Sequence, residues 1–191
     1  WLYEYDGAGN MTKQTDNRAI AMVQTYDELN RLTKKDYPTE TDVTYTYDGN
    51  SKVGTLTSLV DVAGTASYSY DNRLRKTEEQ RVVNGTTKTT QFAYDALDRI
   101  TSTTYPDNEV VTNTYNTQGD INSVSGVVTN IDYNAQNKIT KKDFANSLTT
   151  NYTYNTTDFR LSRIQTGSLQ DLSYTYDNVG NVSTIADAVT N

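Results

Sequence analysis

The chain has 191 residues with 24 acidic and 17 basic side chains, a net charge of −7, no cysteine and no histidine. No basic block is present, which disfavours nucleic acid as a partner, because phosphate contacts need clustered Lys and Arg. Without Cys or His there is no disulfide framework, no imidazole or thiolate metal site, and no Ser-His-Asp or Cys-His catalysis within the segment.

From Tyr3 onward one phrase recurs: an aromatic, any residue, a tyrosine, then Asp or Asn. In chain order the copies end at Tyr5-Asp6, Tyr26-Asp27, Tyr47-Asp48, Tyr70-Asp71, Tyr94-Asp95, Tyr115-Asn116, Tyr133-Asn134, Tyr154-Asn155 and Tyr176-Asp177. Successive second tyrosines lie 21, 21, 23, 24, 21, 18, 21 and 22 residues apart. A period near 21 is the mark of a repeat architecture. The whole chain, 1–191, reads as one continuous array with no internal linker, and both ends open and close within the repeat pattern.

Each copy begins with a turn. Three residues after the Asp or Asn stand Gly9, Asn30, Asp98, Gly119, Asn137, Asp158 and Gly180. These are residue types that tolerate positive φ. The leading Asp or Asn can bond to the chain two residues on, as an Asx-turn. The combination predicts a hairpin loop closed by a left-handed residue and a bulge. Ser51 interrupts the pattern in the third copy, and Asp71-Asn72-Arg73-Leu74 is short of it by about two residues in the fourth.

Five residues after the Asp or Asn an apolar residue opens the return strand: Met11, Leu32, Val53, Ile100, Ile121, Ile139 and Val182, with Leu161 one residue late. Incoming strands alternate, as in Val43-Thr44-Tyr45-Thr46-Tyr47 and Leu172-Ser173-Tyr174-Thr175-Tyr176. Period two places aromatics on one face and threonines on the other, and both types suit a pleated, half-buried surface. Tyr37-Pro38, Tyr105-Pro106 and Phe144-Ala145-Asn146 mark the opposite bend of each unit. The expected fold is all-β: about nine hairpins and eighteen strands in a curved or spiralling antiparallel sheet. A mean hydropathy of −0.75 fits a single layer with one wet face. Lys34-Lys35 and Lys141-Lys142, at one repeat position, read as a single solvated face.

Most prominent residues are therefore assigned to the scaffold. Asp6, Asp27, Asp48, Asp71, Asp95 and Asp177 are turn formers, since Asn116, Asn134 and Asn155 replace them without charge. Tyr5, Tyr26, Tyr47, Tyr70, Tyr94, Tyr115, Tyr133, Tyr154 and Tyr176 are expected in one ladder with their hydroxyls bonded. Gly9, Gly119 and Gly180 serve the turns. No catalytic residue, metal ligand or cofactor is assigned: no calcium-loop motif occurs, and no carboxylate pair stands outside the turn pattern. No apolar run exceeds five residues (Ala19 to Val23), too few to span a membrane.

The phrase Tyr-x-Tyr-Asp-x-x-Gly-Asn, as in Tyr3 to Asn10 and Tyr174 to Asn181, resembles the YD repeat of the RHS family, and the likeness runs over the whole chain. That family includes polymorphic toxins, shells of insecticidal toxin complexes, cell-wall-associated proteins and teneurins. The resemblance implies a β-strip that spirals into a hollow shell, in a large secreted or cell-surface protein, enclosing an effector. An alternative role is adhesion through glycans held by exposed Tyr and Asn. The family's Asp-Pro-x-Gly core signature is absent here. The expected partners are the remainder of its own chain or a larger toxin assembly. Such an assembly would cover the strand edges at Trp1 to Tyr5 and Val182 to Asn191.

Overall fold

The computed structural model describes residues 1–189 and is built from strands. Contacts divide the chain into two compact units, Trp1–Val110 and the remainder from Val111. The first carries β1 (Leu2–Tyr5), β2 (Met11–Thr15), β3 (Ala21–Tyr26), β4 (Leu32–Asp36), β5 (Val43–Tyr47), β6 (Leu56–Asp61), β7 (Gly64–Tyr70), β8 (Lys76–Val83), β9 (Thr86–Tyr94) and β10 (Ile100–Thr104). Each pairs antiparallel with the strand before it. β11 (Val110–Tyr115) starts at the boundary, and the second unit carries it from Val111 on together with β12 (Ile121–Val124), β13 (Val128–Tyr133), β14 (Ile139–Phe144), β15 (Thr149–Tyr154), β16 (Leu161–Thr166), β17 (Gln170–Tyr176) and β18 (Val182–Asp187). These too pair in sequence order. Among the described residues the one helical segment is the 3-10 turn Gly49–Ser51. The all-β hairpin array expected from the period is the fold observed.

The YD turn has the expected build. The Asp27 N–H donates to the Arg31 carbonyl (3.0 Å) and the Asn30 N–H to the Asp27 carbonyl (3.0 Å). Asp27 Oδ1 accepts from the N–H groups of Leu29 and Arg31, both at 2.9 Å. Asn116 and Asn134 do the same with an amide oxygen, so the turn needs the acceptor and not the charge. Gly9, Gly119 and Gly180 have φ of 89°, 100° and 99°, and Asn30, Asp98 and Asn137 have 59°, 64° and 59°. In all nine YD hairpins the register slips by one residue at the second tyrosine, so every hairpin closes with a bulge.

Four local expectations change. The fourth turn is complete: Asp71 N–H reaches the Arg75 carbonyl at 3.0 Å, and Leu74 takes the left-handed position at φ 60°. In the third copy the return strand begins at Leu56, which faces Tyr47, while Val53 sits 70% exposed in a longer loop. Asp48 is itself left-handed there (φ 64°) and its N–H spans to the Thr55 carbonyl. In the eighth copy the extra residue moves the left-handed site from Asp158 to Phe159, at φ 58°. The lysine pairs split between faces, because successive residues of a strand point to opposite sides. Lys141 pairs with Asp143 at 2.7 Å, whereas Lys142 stands 5.8 Å above the Tyr152 ring.

Three of the bends at the opposite ends use the same five-residue turn. Asp16 to Ile20, Tyr105 to Glu109 and Phe144 to Leu148 each carry the two backbone bonds, with Ala19, Asn108 and Ser147 left-handed at φ 61°, 69° and 67°. Burial is thin. Ala66, Val128 and Ile131 are the only buried apolar residues among those described, as expected when no second layer covers the sheet. In β17 the alternation is plain: Leu172, Tyr174 and Tyr176 are half-buried, and Ser173 and Thr175 are exposed. On the threonine face hydroxyls bond across three of the hairpins, as Thr25 to Thr33 (3.1 Å) and Thr114 to Ser123 (2.7 Å).

Candidate functional site

The feature that repeats with chemical content is the gap between neighbouring YD turns. Pairing between consecutive hairpins stops short of this end. Strands β4 and β5, for example, share only Lys34↔Thr44 and Lys35↔Val43. Beyond that point the carbonyl of Leu32 lies outside the inter-hairpin ladder. Tyr47 fills the opening and its Oη donates to that carbonyl at 3.0 Å.

The device recurs along the chain. Tyr26 donates to Met11 (2.9 Å), Tyr70 to Leu56 (2.7 Å), Tyr94 to Lys76 (2.7 Å), Tyr133 to Ile121 (2.8 Å), Tyr154 to Ile139 (2.8 Å) and Tyr176 to Leu161 (2.8 Å). Each ring is a wedge whose polar tip satisfies a backbone acceptor the ladder leaves over. Tyr115 is half-buried in β11, and Tyr5, in the first strand, is 62% exposed.

A cation completes most wedges, and the sequence reading did not single it out. Arg31 stands 4.4 Å from the Tyr47 ring centre, Arg75 4.7 Å from Tyr94, Lys138 5.2 Å from Tyr154 and Arg160 5.4 Å from Tyr176. Arg31 also links two turns: Nε donates to Asp27 (2.7 Å), and the two terminal nitrogens grip Asp48 at 2.9 and 2.6 Å. Arg75 bridges Asp71 and Asp98, each at 2.7 Å. The Asp-x-x-x-Arg spacing at 27/31, 71/75 and 95/99 was the available signal. Gly9 and Gly180 close turns whose Asp6 and Asp177 meet the side-chain amides of Asn10 and Asn181 at 2.9 and 3.0 Å.

These contacts depress the turn carboxyls. Asp48 falls to about 2, through the Arg31 guanidinium and then the Gly54 N–H. Asp27 is lowered by the Arg31 N–H and side chain, and Asp6 and Asp177 by Asn10 and Asn181. At Asp95, burial pushes upward, but Arg99's side chain and N–H together outweigh it.

The sign follows from linkage. A depressed carboxyl contributes stability above its ordinary value of 3.8, and that contribution is lost as pH falls through the folded value. YD turns in the first unit begin with Asp, whereas Asn116, Asn134 and Asn155 begin three of the four in the second. Between pH 4 and about 2 the YD turns of the first unit are therefore expected to lose hydrogen-exchange protection before those at Asn116 and Asn134. Equal loss in both would refute a carboxylate contribution to these turns.

Among the described residues no cluster of three acidic or metal-ligating side chains converges, and no helix is long and apolar enough to cross a membrane. The arrangement is a ladder of satisfied groups, open to solvent on the threonine face.

Comparison with known proteins gives a consistent picture. A family model described as RHS Repeat matches residues 79–110, and one described as Teneurin YD-shell matches residues 107–187. The chain is 31% identical over 178 residues to the tRNA3(Ser)-specific nuclease WapA of Bacillus spizizenii, an alignment covering 85% of this chain and 8% of that protein. It is 32% identical over 144 residues to the tRNA nuclease WapA of Bacillus subtilis, covering 68% and 6%. The chain thus spans less than a tenth of these curated relatives.

Among solved structures, TcdB2-TccC3 superposes with a TM-score of 0.82 at 20% identity, over 98% of this chain and 12% of that one. The Photorhabdus luminescens Tc holotoxin pore gives 0.81 at 20% identity, over 98% and 11%. At these identities the likeness is one of fold.

Proposed function

We propose, from the premise that this chain belongs to the RHS/YD-repeat family, that it is a non-catalytic wall segment of a β-shell in a larger secreted or cell-surface protein. Its role is to scaffold or enclose an effector. The observation that carries the reading is the use made of the polar groups. The turn carboxylates hold backbone N–H groups and neighbouring cations, and seven tyrosine hydroxyls hold backbone carbonyls, so the groups best suited to chemistry are engaged in keeping the array together. A nuclease activity of the kind named for the WapA relatives would then reside outside these residues.

The test is direct. The purified 191-residue chain, incubated with tRNA, is expected to leave it intact. In the full parent protein, limited proteolysis is expected to spare an enclosed polypeptide that becomes digestible when Tyr47 and Tyr94 are both replaced by Ala. Hydrolysis of tRNA by the chain itself would overturn the non-catalytic reading. Digestion of the effector at the same rate in both proteins would overturn the enclosure.

The adhesive alternative would rest on rings outside the ladder. Tyr3, Tyr5 and Tyr105 are 46%, 62% and 44% exposed. A glycan-array signal lost in the triple alanine variant of these three would favour it.

A further inference from the structure

One gap between YD turns has a carboxylate where the others have a cation or an amide. Between the turns at Asn116 and Asn134 the position that holds Arg31 and Arg75 elsewhere is occupied by Asp120. Its carboxylate is held by two side-chain amides, Asn137 Nδ2 at 2.9 Å and Asn116 Nδ2 at 3.3 Å. Tyr133 still places its hydroxyl on the Ile121 carbonyl, as its counterparts do. Among the described residues, however, no cationic group stands over the Tyr133 ring. Lys138, the next base along the chain, turns to the following repeat, over Tyr154 and toward the Phe159 carbonyl.

The result is a cavity of about 770 Å³, lined among others by Asn116, Asp120, Asn122, Asp132, Tyr133 and Asn137, with no Lys or Arg in its wall. That volume is in the range of ligand sites. Strands β12 and β13 share the single pair Val124↔Val128, which leaves their YD ends apart and the cavity open.

The repeat itself says what such a gap takes. Four equivalent openings are filled by a cation lying on the tyrosine face, in two of them pinned by turn carboxylates. Here the ring is present, the cation is not, and the carboxylate, Asp120, stands at the cation's own position, with Asn116, Asn134 and Asn137 at the turn positions. We propose that the cavity between the Asn116 and Asn134 turns binds an alkylguanidinium group supplied in trans, stacked on Tyr133 and paired with Asp120. A planar guanidinium satisfies both demands together, since its face lies on an aromatic ring while its edge donates to carboxylate and amide oxygens. Asp120 and Tyr133 line the same cavity, and the Tyr133 phenol is held above its ordinary value by burial and then by the Asp120 charge.

The experiment titrates the full chain with N-acetylargininamide and follows backbone and tyrosine NMR signals. Shifts are expected at Asn116, Asp120, Tyr133 and Asn137. The neutral isostere N-acetylcitrullinamide is expected to leave them unmoved. Asp120→Asn, a residue already used at this position as Asn10 and Asn181, is expected to weaken binding about tenfold. Asp120→Arg fills the gap from within and is expected to abolish binding.

Free arginine separates the sources. Tighter binding of the capped form points to an arginine within a polypeptide, and tighter binding of the free amino acid points to the metabolite.

Arg31→Ala calibrates the probe, because it opens a like cavity over Tyr47 beside Asp27 and Asp48. If that variant binds N-acetylargininamide at its new cavity and the Asp120 cavity does not, the proposal is wrong. It is equally wrong if the citrulline derivative shifts the same residues to the same extent.

Discussion

Replacing Tyr47 with alanine is expected to lower the unfolding free energy by about 3 kcal/mol, the low end of the range for a large aromatic because the ring is only half-buried. Three losses combine. The ring no longer fills the opening where β4 and β5 part. The Leu32 carbonyl loses its donor at 3.0 Å. Arg31 loses the face on which it lies at 4.4 Å, although its grip on Asp27 and Asp48 remains. Tyr47→Phe isolates the second loss and is expected to cost about 1 kcal/mol. A double-mutant cycle of Tyr47→Ala with Arg31→Ala isolates the third, at roughly 0.5–1 kcal/mol of coupling. Urea unfolding of the four proteins measures all three. If Tyr47→Ala falls within about 0.5 kcal/mol of the parent, the range of an ordinary surface change, the tyrosine is surface decoration and the wedge assignment fails.

The wedge was legible in part. Strict spacing marked the second tyrosines, and period-two alternation placed them on one face, because both follow from local backbone geometry. What the hydroxyl bonds to was not legible. Leu32 and Tyr47 lie 15 residues apart, and their meeting depends on how far pairing extends between hairpins, which the turn at the far end decides. The same holds for Arg31: its bond to Asp27 could be read from the spacing, but its place over Tyr47 needed the register of the next repeat.

The turns show a second limit. Residue type located Gly9, Asn30 and Asp98 correctly, because those side chains lower the cost of positive φ. Leu74 and Phe159 occupy the same conformation with no such preference. They are held there by the bonds from Asp71 to Arg75 and from Asn155 to Arg160 on either side. The turn's own hydrogen bonds overrode the residue-type preference, and so the fourth copy reads as short when it is whole. Asp16 to Ile20 escaped for a related reason: it forms the same turn at the opposite end of a hairpin, where no tyrosine announces it.

Gly64→Ala should be the most damaging small substitution in the first unit, at about 3 kcal/mol or more. Gly64 closes the tight turn from Asp61, whose carboxylate accepts the Ala63 and Gly64 N–H groups at 2.9 and 3.1 Å. Its φ is 131°, a conformation that L side chains rarely adopt, and a Cβ there would lie 1.8 Å from the Val82 carbonyl oxygen. That oxygen belongs to the backbone of β8, which pairs with β7 one residue further on at Thr65. It can retreat only if the β7–β8 ladder opens. Gly85→Ala is the control. Gly85 also has positive φ, at 74°, but nothing lies within 4 Å of its added Cβ, so only the torsional penalty of about 1–2 kcal/mol applies. The difference between the two variants therefore combines the higher torsional cost of φ 131° over φ 74° with the collision. Hydrogen exchange locates it: protection is expected to fall at Thr65 to Ser67 and Gln80 to Val82 in Gly64→Ala, and to hold at those positions in Gly85→Ala. Equal destabilisation of the two, with the β7–β8 amides still protected, would mean that β8 does not approach Gly64 as closely as the fold requires.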